Sequence, residues 1–231
     1  ISENSREKEL QYIDLLYSHR VLGIVVCSHI GETMEHLDSN CPLISFEREI
    51  AENIPAVLCD NYQGGILAAN RLFDAGCRNI AIFNQPTKEN IPAYSREKAF
   101  MKCCENKKIS GRVVYTDRLA PLSEEFGNNI LELLKKNSDL DGIFATSDVM
   151  AANIIRACKK MGKRVPEDIS IVGFDDTWIS TLTYPSITTI HQPVREMCEY
   201  AIEAIVKKVK SEKVPSQVVF PVELIDREST K

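Results

Sequence analysis

Two apolar runs in the second half of the chain end on oxygen-bearing side chains. Gly142-Ile143-Phe144-Ala145-Thr146 runs into Ser147-Asp148, and Ile169-Ser170-Ile171-Val172-Gly173-Phe174 runs into Asp175-Asp176. A third run, Ala56-Val57-Leu58-Cys59, stops at Asp60. Hydroxyls and carboxylates at the ends of buried strands can accept hydrogen bonds from a polar ligand, and in open parallel sheets such ends border the ligand crevice. Ser147, Asp148 and Asp175 are therefore candidate site residues from position alone. Each also has a structural alternative, since Ser147 and Asp148 precede a helical pattern whose free N–H groups need caps, and Asp60 can cap its own strand end. Catalytic chemistry is poorly served. There is no G-x-S-x-G elbow, no Walker loop and no H-E-x-x-H pair, and His19, His29, His36 and His191 have no partner close in sequence.

The elements that must position these groups alternate between strand and helix. Met150, Ala151, Ile154, Ile155 and Cys158 recur at helical spacing, and Gly162 and Pro166 stop the pattern, so Asp141 to Asp176 reads as strand, helix, strand. Upstream, the pattern predicts a helix over Asn4 to Ser18, a strand from Leu22 to Cys27, a short helix from Glu32 to Leu37, and strands at Leu43 to Phe46 and Ala56 to Asp60. A helix follows from Gly64 to Gly76. Its paired glycines match no phosphate-binding fingerprint and read as close helix packing. Then come a strand at Asn79 to Asn84, a helix at Tyr94 to Lys107 with Arg96 in its first turn, a strand at Val113 to Tyr115 and a helix at Ser123 to Lys136. After the central unit, Ile187 to Ile190 is a strand. A long helix follows with Val194, Met197, Cys198, Ala201, Ile202, Ile205 and Val209 on its apolar face, and Gln217 to Arg227 is extended and broken by Pro221. Such alternation implies a parallel, doubly wound α/β sheet.

A chain of 231 residues can form one large α/β domain or two small lobes. The net charge of −5 and a pI near 5.5 exclude a basic nucleic-acid surface on this chain. No apolar run approaches the roughly 18 residues of a membrane span, and the opening ISENSREKEL shows no signal peptide. Eight dispersed cysteines, with no CxxC and no Cys/His spacing, read as reduced thiols of a cytoplasmic protein. Neither a metal nor any other cofactor is expected.

Taken in order, VLGIVV (21 to 26), DNYQGG (60 to 65), AGCRNIAIF (75 to 83), SREKAF (95 to 100), DGIFATSD (141 to 148), VPEDISIVGFDD (165 to 176), PSITTIHQP (185 to 193) and LIDREST (224 to 230) closely resemble the effector-binding core of LacI/GalR-family transcription regulators. The resemblance implies two Rossmann-like lobes with parallel sheets joined by three crossovers, the type I periplasmic binding protein-like fold. It places residues 1–75 and 192–220 in an N-terminal lobe and 76–191 and 221–231 in a C-terminal lobe, with crossovers near Gly76, His191 and Pro221. The family's helix-turn-helix and its first strand, helix and strand have no counterpart in this sequence. The first lobe is thus expected to be truncated at its N-terminus, as in a fragment, unless residues 1–20 supply a strand.

The resemblance also assigns roles. Asp175 matches the aspartate that accepts hydrogen bonds from ligand hydroxyls, and Arg96 the arginine that donates a fork to ligand oxygens, with Ala99 replacing the usual glycine of that motif. Ser147 stands where an asparagine is usual and reaches less far, while Asp148 is expected to cap the helix. Asp60 and Gln192 complete the ligand set, with Cys27 and Ser28 at a position some members use. Leu119 and Leu122 are nearest to where some members place an aromatic platform, and Trp178 falls near the family's dimer contacts. The implied protein is a non-enzymatic, cytoplasmic, homodimeric regulator domain. It would bind a sugar or sugar phosphate between its lobes and control operator DNA through an absent N-terminal domain. The alternative is a periplasmic sugar-binding protein of a transporter.

Overall fold

A computed structural model describes residues 5–27, 41–86 and 91–231. In chain order the elements are α1 (Arg6–Ser18), β1 (Ile24–Val26), β2 (Leu43–Phe46), β3 (Ala56–Cys59), α2 (Asn61–Asp74), β4 (Asn79–Asn84), α3 (Tyr94–Lys107), β5 (Ser110–Tyr115), α4 (Glu124–Lys136), β6 (Gly142–Ala145), α5 (Asp148–Lys160), β7 (Ser170–Asp175), α6 (Ile179–Leu182), β8 (Thr188–His191), α7 (Val194–Val209), β9 (Gln217–Phe220) and β10 (Glu223–Ile225). The expected helix at Glu32 to Leu37 and Ser28 lie outside the described residues.

The chain forms two compact units, Ile1–Cys59 with Pro193–Phe220 and Asp60–Gln192 with Pro221–Lys231. The first unit holds a parallel four-stranded sheet in the order β1-β2-β3-β9. No strand occurs between residues 5 and 20; Arg6–Ser18 is helical, capped by Ser5, and β1 is one edge of the sheet. Helix α7 buries Met197, Ala201, Ala204 and Ile205. Here the structure narrows the expected apolar face, because a helix lying on a sheet buries only one stripe and leaves Val194, Cys198, Ile202 and Val209 exposed.

The second unit holds a six-stranded sheet in the order β10-β8-β7-β6-β4-β5, parallel except that β10 runs antiparallel to β8. Pro221 falls between β9 and β10, which belong to different sheets. The central strands read as continuous apolar runs because they are covered on both faces: Ile80, Ile82, Phe83, Ile143, Phe144, Ile171, Val172 and Phe174 are all fully buried. Each such side chain contributes about 1.5–3 kcal/mol relative to exposure.

Helix α2 packs in this second unit, so the first passage between units falls at Cys59–Asp60, where the sequence reading placed it near Gly76. The reason is close packing. A Cβ on Gly64 would sit 2.7 Å from the Phe174 ring, and one on Gly65 would collide with the Arg96 carbonyl oxygen, so the glycine pair lets α2 lie directly against α3 and β7. Of the eight free cysteines, Cys59, Cys77, Cys104 and Cys158 are buried as expected of core thiols, while Cys27 and Cys198 are exposed.

Candidate functional site

The C-terminal ends of the parallel strands in the second unit line one edge of its sheet. Asn84 pairs with Tyr115, Phe83 with Ala145, Phe144 with Val172 and Asp175 with His191. This register brings the ends of β4, β5, β6, β7 and β8 together, and the residues that follow them converge there.

Asp175 closes β7 with φ of +104°, and Asp176 follows with φ of +55°. Side chains rarely adopt such backbone, and each such residue costs on the order of 1–3 kcal/mol unless its surroundings impose it. The half-buried Asp175 carboxylate accepts a 2.6 Å hydrogen bond from Gln192 Nε2, the residue just beyond the end of β8. Gln192 is 9% exposed. Two of the expected site residues are thus in direct contact.

Arg96 is a buried residue of the first turn of α3, not a surface arginine. Its guanidinium lies 3.4 Å from the centroid of the Phe174 ring, donates from Nε to Asn61 Oδ1 at 2.5 Å and from Nη1 to the Thr146 carbonyl at 3.1 Å. Neither bond occupies Nη2. The cation sits on an aromatic face and is oriented by two acceptors, the arrangement that fixes a planar donor in one plane.

The helix cap expected of Asp148 falls one residue earlier, on Ser147. Ser147 is the N-cap of α5, its hydroxyl accepting from Met150 N at 3.2 Å, and Asp148 is the first helical residue. Asp148 is fully buried, accepting from Thr177 N at 2.6 Å, Thr177 Oγ1 at 3.0 Å and Thr189 Oγ1 at 2.6 Å. Burial pushes its carboxyl above the ordinary aspartate range, and the three donors pull the other way without offsetting it. Gly173 makes the room: a Cβ there would lie 2.5 Å from Asp148 Oδ1. Asp60 is likewise a cap, for α2, accepting from Gln63 N at 2.8 Å.

Several residues that sequence reasoning did not single out belong to this edge. Glu97, beside Arg96, is buried and accepts from Asn84 Nδ2 at 3.1 Å and Tyr115 OH at 2.8 Å, while Thr146 Oγ1 donates to Asn84 Oδ1 at 3.2 Å. Desolvation, then the bond and charge of Glu97, push the Tyr115 phenol up to about 12. The available signal was their position, since Asn84 and Tyr115 are the last residues of their strands. Asn61 and Phe174, which orient Arg96, carried no separate signal. Of the two leucines near the expected aromatic platform, Leu119 packs against the core and Leu122 is exposed. Trp178, Leu182 and Tyr184 are all exposed around α6. Among the described residues no group of His, Cys, Asp and Glu is arranged to hold a metal ion, and no helix is long and apolar enough to cross a membrane.

Two α/β units built from interleaved chain segments, with polar groups gathered at strand ends, define a periplasmic binding protein-like domain. The family model described as "Periplasmic binding protein-like domain" matches residues 69–230. The ribose operon repressor of Halalkalibacterium halodurans is 32% identical over 226 residues, covering 97% of this chain and 67% of the repressor. A solved periplasmic binding protein/LacI transcriptional regulator from Alkaliphilus metalliredigens, complexed with D-xylulofuranose, is 33% identical with a TM-score of 0.86, covering 100% of this chain and 85% of that one. A LacI family transcriptional regulator from Enterococcus faecium with bound ribose is 26% identical with a TM-score of 0.80, covering 96% and 84%. The chain belongs to the LacI/GalR family of transcription regulators and corresponds to their effector-binding domain. These relatives are named as regulators, which favours that reading over a transport protein.

Proposed function

We propose that this domain senses a sugar, or a closely related polar metabolite such as a sugar phosphate, and passes its occupancy to operator DNA through a helix-turn-helix segment of the regulator. It acts by binding and not by turnover, in the cytoplasm. The observation that carries the reading is that the Asp175–Gln192 pair and the oriented Arg96 belong to the same sheet edge. A carboxylate, an amide and a guanidinium together offer acceptors and donors in fixed directions, which is what reading several hydroxyls requires. Ser147 and Asp60 join the ligand set through oxygens already engaged as caps, and so contribute less. The sugars bound by the two related structures are five-carbon sugars, which makes D-ribose and D-xylulose the first probes.

The domain is proposed to work as a homodimer through the exposed Trp178, Leu182 and Tyr184, since three large apolar side chains around one short helix suit a self-complementary contact. Ligand would favour one conformation over another, and about 1–3 kcal/mol of coupling is enough to alter operator affinity. Thermal-shift screening of the full regulator against sugars and sugar phosphates tests the sensor reading. A stabilising sugar whose effect disappears in Asp175→Ala supports it; no response to any member of the panel rejects it.

A further inference from the structure

The LIDREST segment at the C-terminus has no part in the ligand set, yet it is bonded closely to the strands that carry that set. Ser229 Oγ donates to the Ile171 carbonyl at 2.6 Å, Ile171 N to the Ser229 carbonyl at 2.8 Å, and Thr188 N to Ser229 Oγ at 2.9 Å. Arg227 N donates to Thr188 Oγ1 at 2.9 Å, and Arg227 Nη1 to the Ile187 carbonyl at 2.9 Å. The segment therefore spans β7 and the start of β8, and it fixes both the backbone and the guanidinium of Arg227.

From that anchored position Arg227 Nη2 reaches Asp176 Oδ1 at 2.6 Å. Asp176 Oδ1 also accepts from Ser180 Oγ at 3.3 Å, and Oδ2 contacts His191 Nδ1 at 3.0 Å. Each partner belongs to a different element: the C-terminal segment, α6 and β8. Asp176 is the second of two consecutive aspartates with positive φ, and Asp175 is the first. A non-glycine pair stays in that conformation only where the surroundings over-determine it, and Asp176 is where the restraints converge.

We propose that Arg227 is a positioning residue for the effector site: its grip on Asp176 holds the adjoining Asp175 carboxylate against Gln192 and toward the ligand. Asp175 and His191 are opposite partners in the sheet register, so Asp176–His191 and Asp175–Gln192 form two consecutive bonds between the ends of β7 and β8. Arg227 locks the outer bond, and the inner one presents the carboxylate. Burial opposes ionisation of Asp176, but its contacts with Arg227 and His191 outweigh it and hold the carboxyl below its usual range, so Asp176 faces Arg227 as a carboxylate at neutral pH. The inference rests on the reading of Asp175 as a ligand contact.

The test combines a crystal structure with a titration. In Arg227→Gln the guanidinium charge is gone, and the proposal expects residue 175 to leave its positive φ and the Gln192–Asp175 bond to break. Affinity for whichever sugar of the panel binds the wild type, D-ribose being the first probe, should fall about tenfold or more, as for removal of outer partners that orient a ligating group. Arg227→Lys retains charge without the fork and should recover part of that affinity, which a general packing defect would not allow. If Arg227→Gln does not fold, Asp176→Asn breaks the same ion pair and is read in the same way. An unchanged φ at residue 175 with the Gln192 bond intact overturns the proposal whether or not any sugar binds. Failure of the wild type to bind any sugar rejects the sensor reading, and the crystal structure still decides the role of Arg227.

Discussion

Asp148 and Asp175 stand at the ends of neighbouring parallel strands, are both carboxylates, and read alike in the sequence. Their surroundings make them opposites. Asp148 is fully buried, accepts three hydrogen bonds from Thr177 and Thr189, and sits in space left by Gly173. Asp175 is half-buried on backbone with φ of +104° and is held by Gln192. The first ties the α6 turn to β8 and α5. The second is kept in an unfavourable conformation, as expected of a group positioned for something outside its own fold. A strand-end carboxylate is thus better judged by its burial and its backbone conformation than by its position.

Replacing each residue in turn should separate the two roles. Asp148→Ala leaves the Thr177 N–H and two threonine hydroxyls without their buried acceptor and should destabilise the domain by about 3 kcal/mol in urea unfolding. A loss below about 1 kcal/mol would show that Asp148 is not the structural partner described. Gln192→Ala removes the side chain that holds Asp175 and should weaken sugar binding about tenfold, or about 1.4 kcal/mol by calorimetry, with little change in unfolding midpoint. If stability falls and affinity does not, Gln192 belongs with Asp148 on the structural side. Ser147→Ala removes the α5 cap and should cost about 1 kcal/mol of stability while changing sugar affinity little. A large loss of affinity there would show that Ser147 is a principal ligand contact and not a minor one.

A pH series sharpens the contrast further. A carboxyl whose pKa is raised by burial, as for Asp148, binds its proton more tightly folded than unfolded. Acidification from above its raised value toward the ordinary one of about 3.9 therefore adds stability. The non-titrating Asp148→Asn lacks this gain, so wild type should improve relative to the variant between about pH 7 and about pH 4. Asp176 acts in the opposite sense. Its lowered carboxyl contributes stability above the ordinary value, and that share is lost as pH falls through the lowered one. A difference between wild type and Asp148→Asn that stays flat with pH would show that burial does not govern Asp148.

Local pattern carried the fold well where each element signals its own ends. The β6–α5–β7 unit follows directly from an apolar run, a helical stripe and a second run, with Ser147 and Gly162 at the helix ends. The unit to which α2 belongs was not legible, because its glycines signal close packing without naming the partner. That Ser147 and not Asp148 caps α5 turns on a single residue of helix onset, which spacing alone cannot decide. The inner face of α7 is narrower than its apolar stripe, because apolar side chains also occupy positions the sheet does not cover. The positive φ at Asp175 and Asp176 is only weakly signalled by residue type, aspartate being among the side chains that tolerate it. A partner of Asp176, Arg227, lies 51 residues further along the chain, which local pattern does not reach.

The most direct test of the account is a calorimetric titration of the sugar panel into wild type and Asp175→Asn, with unfolding of both followed in parallel. Asparagine keeps the shape and tolerates positive φ, so the variant should fold as stably as wild type within about 1 kcal/mol. It should lose about a hundredfold in affinity for the sugar that wild type binds, because a charged acceptor is lost from a desolvated contact. Equal affinity in the two proteins would contradict the account and place the effector contacts elsewhere on the sheet edge.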